Sequence, residues 1–75
     1  MSPKSPRLTA RQMEKALLKL GFSVARQSGS HRIFVNFSGV RATLPVHAGK
    51  ILHPKIVAAI LRDADITVEL LREML

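Results

Sequence analysis

Hydrophobic residues recur at two different periods along this chain, and the change of period divides it into elements. Met13, Ala16, Leu17 and Leu20 stand at i, i+3, i+4 and i+7, the spacing that gathers side chains on one face of a helix. Thr9 stands ahead of them as an N-cap with Gln12 three positions on, and Gly21 offers a left-handed stop. The pattern predicts a helix over residues 10 to 20. From Phe22 the period shortens to two. Phe22 and Val24 alternate with Ser23 and Ala25, and Ser28-Gly29-Ser30 breaks the run. Ile33, Val35 and Phe37 then alternate up to Ser38-Gly39, and Val40, Ala42, Leu44 and Val46 beyond it. This reads as a three-stranded antiparallel meander. Taking Ser38-Gly39 as a two-residue hairpin loop sets Phe37 opposite Val40, Val35 opposite Ala42 and Ile33 opposite Leu44, with all six on one core-facing side. Phe34 is then the one ring on the open face. Pro45, which lacks an amide donor, suits an edge strand.

Pro54 is placed as the first residue of a second helix, whose buried stripe is Ile56, Val57, Ile60, Leu61 and Ala64. Thr67 can cap a short third helix over residues 68 to 75. Its Val68, Leu70, Leu71, Met74 and Leu75 are too apolar for a free terminus and must dock on the chain's own domain or on another chain. Residues 1 to 8, with Pro3 and Pro6, read as a flexible tail, and residues 9 to 75 as a single domain. Helices packed on the one apolar face of the sheet give a two-layer α+β fold. The order α-β-β-β-α plus a short C-terminal helix is that of a double-stranded-RNA-binding-like domain without its final long helix.

Composition narrows the chemistry. A 75-residue chain hides only about 60% of its unfolded surface. With three Phe and no Trp or Tyr, its core has to be mainly aliphatic. The absence of cysteine excludes disulfides and thiolate metal sites and fits a cytoplasmic protein. No apolar run is long enough for a membrane span. Charge is distributed unevenly: residues 1 to 62 carry eleven Lys or Arg against one acid, Glu14, whereas residues 63 to 75 carry Arg72 against Asp63, Asp65, Glu69 and Glu73. Such a basic segment attracts phosphate backbones through Coulomb attraction and counterion release. The cations run from Lys4 to Arg62 instead of lining one amphipathic helix, which speaks against a membrane surface as the partner.

Of the three histidines, His31 and His47 are candidates for proton transfer, and the plainer role for His31 is to complete a hydrogen bond near its turn. His31 falls, in the register above, on the core-facing parity at the mouth of its strand, at the rim of the core. Gly29 and Ser30 form the supporting turn, and Gly29 lets a ligand backbone come close. His47 falls on the other sheet face in that register, which counts against a simple pair with His31 but leaves it a possible second proton carrier. His53 precedes Pro54 and suits a cap, where the helix-end amides beside Lys50 and Lys55 offer a place for a phosphate. Arg32, Lys50 and Lys55 are the candidate RNA contacts. With no carboxylate or cysteine nearby in sequence, no metal site is expected, and no cofactor.

The stretch Leu20-Gly21-Phe22, then Gln27-Ser28-Gly29-Ser30-His31-Arg32-Ile33-Phe34, Leu44-Pro45-Val46-His47 and a helix across residues 56 to 61 resembles the HicA family of toxin ribonucleases, partners of HicB antitoxins. The resemblance covers roughly residues 9 to 72. It implies a double-stranded-RNA-binding-like fold, cleavage of mRNA, one essential histidine in the Gly-Ser-His segment, here His31, and neutralisation by a HicB-type antitoxin. Where members usually show Gly-Thr entering the second helix, this chain has His53-Pro54. The chemistry such an activity needs is consistent with the residue types. RNA brings its own 2′-hydroxyl nucleophile, and an imidazole with a reference pKa of about 6.5 serves as general base or acid near neutrality. Lys and Arg stabilise the phosphorane charge. A non-catalytic RNA-binding module on the same basic surface is the competing reading.

Overall fold

The structure, a computed structural model, describes residues 6 to 46 and 50 to 75. The first helix, α1 (Ala10–Lys19), begins with the expected reciprocal cap. The Thr9 amide donates to Gln12 Oε1 at 2.8 Å, and the Gln12 amide donates to Thr9 Oγ1 at 3.2 Å. Two amides that helix geometry leaves without partners are thereby satisfied, a contribution of about 1 kcal/mol. Ala10, Met13, Ala16 and Leu17 form the buried stripe. Gly21, at φ +94°, then reverses the chain so that Phe22 folds back into the core. Leu8, left in the tail by the sequence pattern, is instead fully buried, and its carbonyl accepts from the Leu52 amide at 2.8 Å. Paired with the segment ahead of the second helix, it closes one end of the core, so the packed chain starts before α1.

Three antiparallel strands follow, β1 (Ser23–Ser28), β2 (His31–Val35) and β3 (Arg41–Pro45), in the spatial order β1-β2-β3. Pro45 therefore lies on an edge strand, as its missing amide requires. Ser28 pairs with His31 across a two-residue loop. Gly29, at φ +58°, takes its first central position, the place where a type II′ turn needs glycine.

The second connection departs from the expected one. Arg32 pairs with Leu44, Ile33 with Thr43, Phe34 with Ala42 and Val35 with Arg41, one step away from the register that a Ser38-Gly39 loop imposes. The loop is three residues long. The Asn36 amide donates to the Val40 carbonyl at 3.1 Å, and the Gly39 amide to the Asn36 carbonyl at 3.0 Å. Asn36 Oδ1 accepts from the amides of Ser38 and Val40, both at 3.0 Å. Asparagine at the first place and glycine at the fourth, at φ +80°, make a type I turn closed by a left-handed residue.

A one-residue slip turns a strand over. Phe34, expected on the open face, is fully buried and is the largest such side chain, while Phe37, expected in the core, is fully exposed. Ile33 and Val35 are partly buried on the side away from the helices. Ala42 and Leu44 lie in the core as expected.

The second helix, α2 (Pro54–Ala64), buries Val57, Ile60, Leu61 and Ala64, and Ile56 packs at their edge. The third, α3 (Val68–Met74), is capped by Thr67 Oγ1, which accepts from the Leu70 amide at 3.1 Å. Leu71 is fully buried, and Lys19 Nζ donates to the Met74 carbonyl at 3.1 Å. The apolar terminal helix thus docks on its own domain, beside α1. The result is the two-layer α+β, double-stranded-RNA-binding-like arrangement, with the helices and the core on one side of the sheet.

Candidate functional site

His31 opens β2 and is exposed. Because Phe34 faces the helices, alternation places His31, Ile33 and Val35 on the opposite, open face; the expected core-rim position is corrected by the same one-residue slip. The pairings lay that face out in rows. Ser28 and Pro45 flank His31, Arg26 and Thr43 flank Ile33, and Ser23 and Arg41 flank Val35. The supporting turn is held from the other side, since the Ser30 carbonyl accepts from the Val46 amide at 2.6 Å. A Cβ on Gly29 would meet no atom within 4 Å, so the approach to His31 over this turn is open.

A shallow cleft of about 390 Å³ runs beside the imidazole, between His31, Thr43 and Pro45 on the sheet and Lys55, Ala59 and Asp63 on α2. It unites two residues singled out from sequence, His31 and Lys55, and two that were not, Thr43 and Asp63. Lys55 and Asp63 are eight positions apart on one helix, a spacing that becomes meaningful only once the sheet edge beside them is known.

The other candidates are placed differently. Arg32 points to the helix side, where its guanidinium pairs with Glu14 of α1, each side chain 23% exposed. Lys50 is exposed but does not line the cleft. His47 lies outside the described residues. His53 caps α2: its Nδ1 accepts from the Lys55 amide at 3.0 Å, and its carbonyl accepts from the amides of Ile56 and Val57 at 2.8 and 3.1 Å. Those bonds use the amides that the sequence reading offered to a phosphate, so Lys55 is left to act through its ammonium. Among the described residues no group of three His, Cys, Asp or Glu is arranged to hold a metal ion, and no helix is long and apolar enough to cross a membrane.

None of the curated proteins matches the chain. The family model for the HicA toxin of bacterial toxin-antitoxin systems matches residues 10 to 66, from the start of α1 to just past α2, leaving α3 outside. With about three quarters of the sequence matched, and the Gly-Ser-His turn inside the matched span, this chain belongs to the HicA toxin family, the toxin side of a toxin–antitoxin pair.

Proposed function

We propose that this toxin is a metal-independent endoribonuclease that cleaves mRNA in the cytoplasm, with His31 as its essential proton-transfer group. The observation that carries the reading is the exposed imidazole on a face free of acidic strand residues, sharing a cleft with Lys55. In the reaction the RNA 2′-oxygen forms a bond to phosphorus as the bond from phosphorus to the 5′-oxygen breaks. One proton leaves the 2′-hydroxyl and one reaches the departing 5′-oxygen. His31 carries one of these protons, a role worth about 10²- to 10⁴-fold in rate. Lys55 offsets charge on the phosphorane from across the cleft. Gly29 and Ser30 hold the imidazole at the turn and keep the approach clear. His47 is the candidate for the second proton, and Lys50 for a contact with flanking phosphate.

A HicB-type antitoxin neutralises the toxin by covering the face that carries His31 and Lys55. Its contact surface is then acidic where it meets that face, and RNA and antitoxin compete for the same cations.

Incubation with RNA in EDTA tests the reaction. Fragments ending in 2′,3′-cyclic phosphate and 5′-hydroxyl are expected, and His31→Ala should abolish them while RNA binding survives. Fragments with 5′-phosphate ends would mean that water attacks instead. Undiminished cleavage by His31→Ala would leave a binding module whose histidine has no catalytic part.

A further inference from the structure

The pairing of β1 with β2 contains one irregularity. Val24 pairs with Phe34, yet Arg26 pairs with Ile33, so Ala25 is an extra residue in the ladder, a β-bulge. With regular alternation Ala25 would face Ile33, and Arg26 would turn to the helix side beside Arg32. The bulge instead puts Arg26 in the row of Ile33 and Thr43, on the open face, one row from His31 and about 7 Å along the strand. Arg41 stands in the next row, beside Val35. Three successive rows of the open face therefore carry an imidazole and two guanidinium groups. Both arginines are exposed, and neither has an ion-pair partner among the described residues. The strand residues around them include no acid, and Glu14, the one acid in the first 62 residues, is held by Arg32 on the opposite side.

We infer that the open sheet face is a track for single-stranded RNA, in which Arg26 holds the phosphate next to the one cleaved and Arg41 the phosphate after it. This deepens, and rests on, the reading of His31 as the group at the scissile bond. The choice of a single strand follows from two features. Three strands make a face only about 10 Å wide between its outer strands, room for one sugar-phosphate chain. Beyond Arg41, at the loop tip, the fully exposed Phe37 ring offers a stacking surface that only an unpaired base can use. Arg26 is a positioning residue, so its loss should raise KM and leave kcat nearly unchanged.

The test uses the full chain carrying His31→Ala as a binding probe, with a short fluorescent single-stranded RNA titrated at several salt concentrations. Adding Arg26→Gln should weaken binding about 5- to 10-fold and reduce the salt slope by about 0.7, the loss of one single-strand phosphate contact. Arg41→Gln should have a smaller effect in the same direction. Arg26→Lys, which keeps the charge and serves as a second variant should Arg26→Gln fold poorly, should recover part of the loss. Arg11→Gln removes an equal charge from the exposed side of α1 and should change binding less than about twofold. In the chain that retains His31, Arg26→Gln should raise KM by the same factor as it weakens binding. Parental binding by both arginine variants would overturn the track, as would an equal loss with Arg11→Gln or equally tight binding of duplex RNA. If His31→Ala cleaves RNA undiminished, the catalytic reading fails, while the binding series still reads the track independently.

Discussion

The two faces of β2 divide the work of the molecule between alternate residues. Arg32 and Phe34 look toward the helices: one is ion-paired with α1, and the other is fully buried. His31, Ile33 and Val35 look the other way, and the imidazole there is exposed, bordering the cleft that lies between the sheet and α2. Side chains one position apart thus serve packing on one face and the proposed chemistry on the other. In a domain this small, where stability is marginal, such a division lets a residue on the open face be chosen with little regard to packing.

Breaking the buried side should have the largest effect. Phe34→Ala removes the largest fully buried side chain and is expected to cost about 3 to 5 kcal/mol in denaturant unfolding, enough to unfold much of the population. A cost below about 1 kcal/mol would mean that Phe34 does not sit at the centre of the core.

A smaller effect is expected where the division is set. Gly39 closes the Asn36 turn at φ +80°, and a Cβ there meets no atom within 4 Å, so Gly39→Ala pays only for backbone strain, about 1 kcal/mol. Thermal melting checks this value, and an unchanged melting temperature would argue against the left-handed turn.

The smallest effect sharpens the contrast between neighbours. Arg32→Met leaves Glu14 unpaired at a partly exposed site, which should cost no more than about 1 kcal/mol and leave RNA cleavage intact in the folded protein. A loss of RNA binding without loss of stability would return Arg32 to the phosphate-binding role that its sequence position suggested.

Much of this architecture was legible in the sequence, for identifiable reasons. The Thr9-Gln12 cap, the apolar stripes of α1 and α2, Pro54 and the Gly29 turn are local signals, each decided by a few neighbouring residues. The side on which β2 lies was not legible by alternation, because Ile33, Phe34 and Val35 are consecutive apolar residues and the parity that lies in the core also carries Arg32, whose place there depends on Glu14 of α1. The loop decides it, and the signal was Asn36 three positions before Gly39, which outranks Ser38-Gly39 as turn chemistry. The strand pattern favoured the two-residue loop because the parity of β2 that lies in the core holds Arg32 and Asn36 beside Phe34, whereas the opposite parity holds Ile33, Val35 and Phe37. His31 and Lys55 could be picked as residue types suited to RNA chemistry, but their shared cleft depends on how α2 lies along β3. Arg26 reaches the open face only through the bulge at Ala25, and a single sequence carries no clear mark of that.

The most direct measurement compares folding with cleavage in one substitution. His31→Ala, assayed for unfolding free energy and for RNA cleavage on the same preparation, should keep its stability within about 0.5 kcal/mol of the parent, as exposed positions do, while cleavage falls at least about 100-fold. A variant that unfolds more easily and cleaves as well as its folded fraction allows would place the imidazole in the structure instead of the chemistry, and would contradict the account.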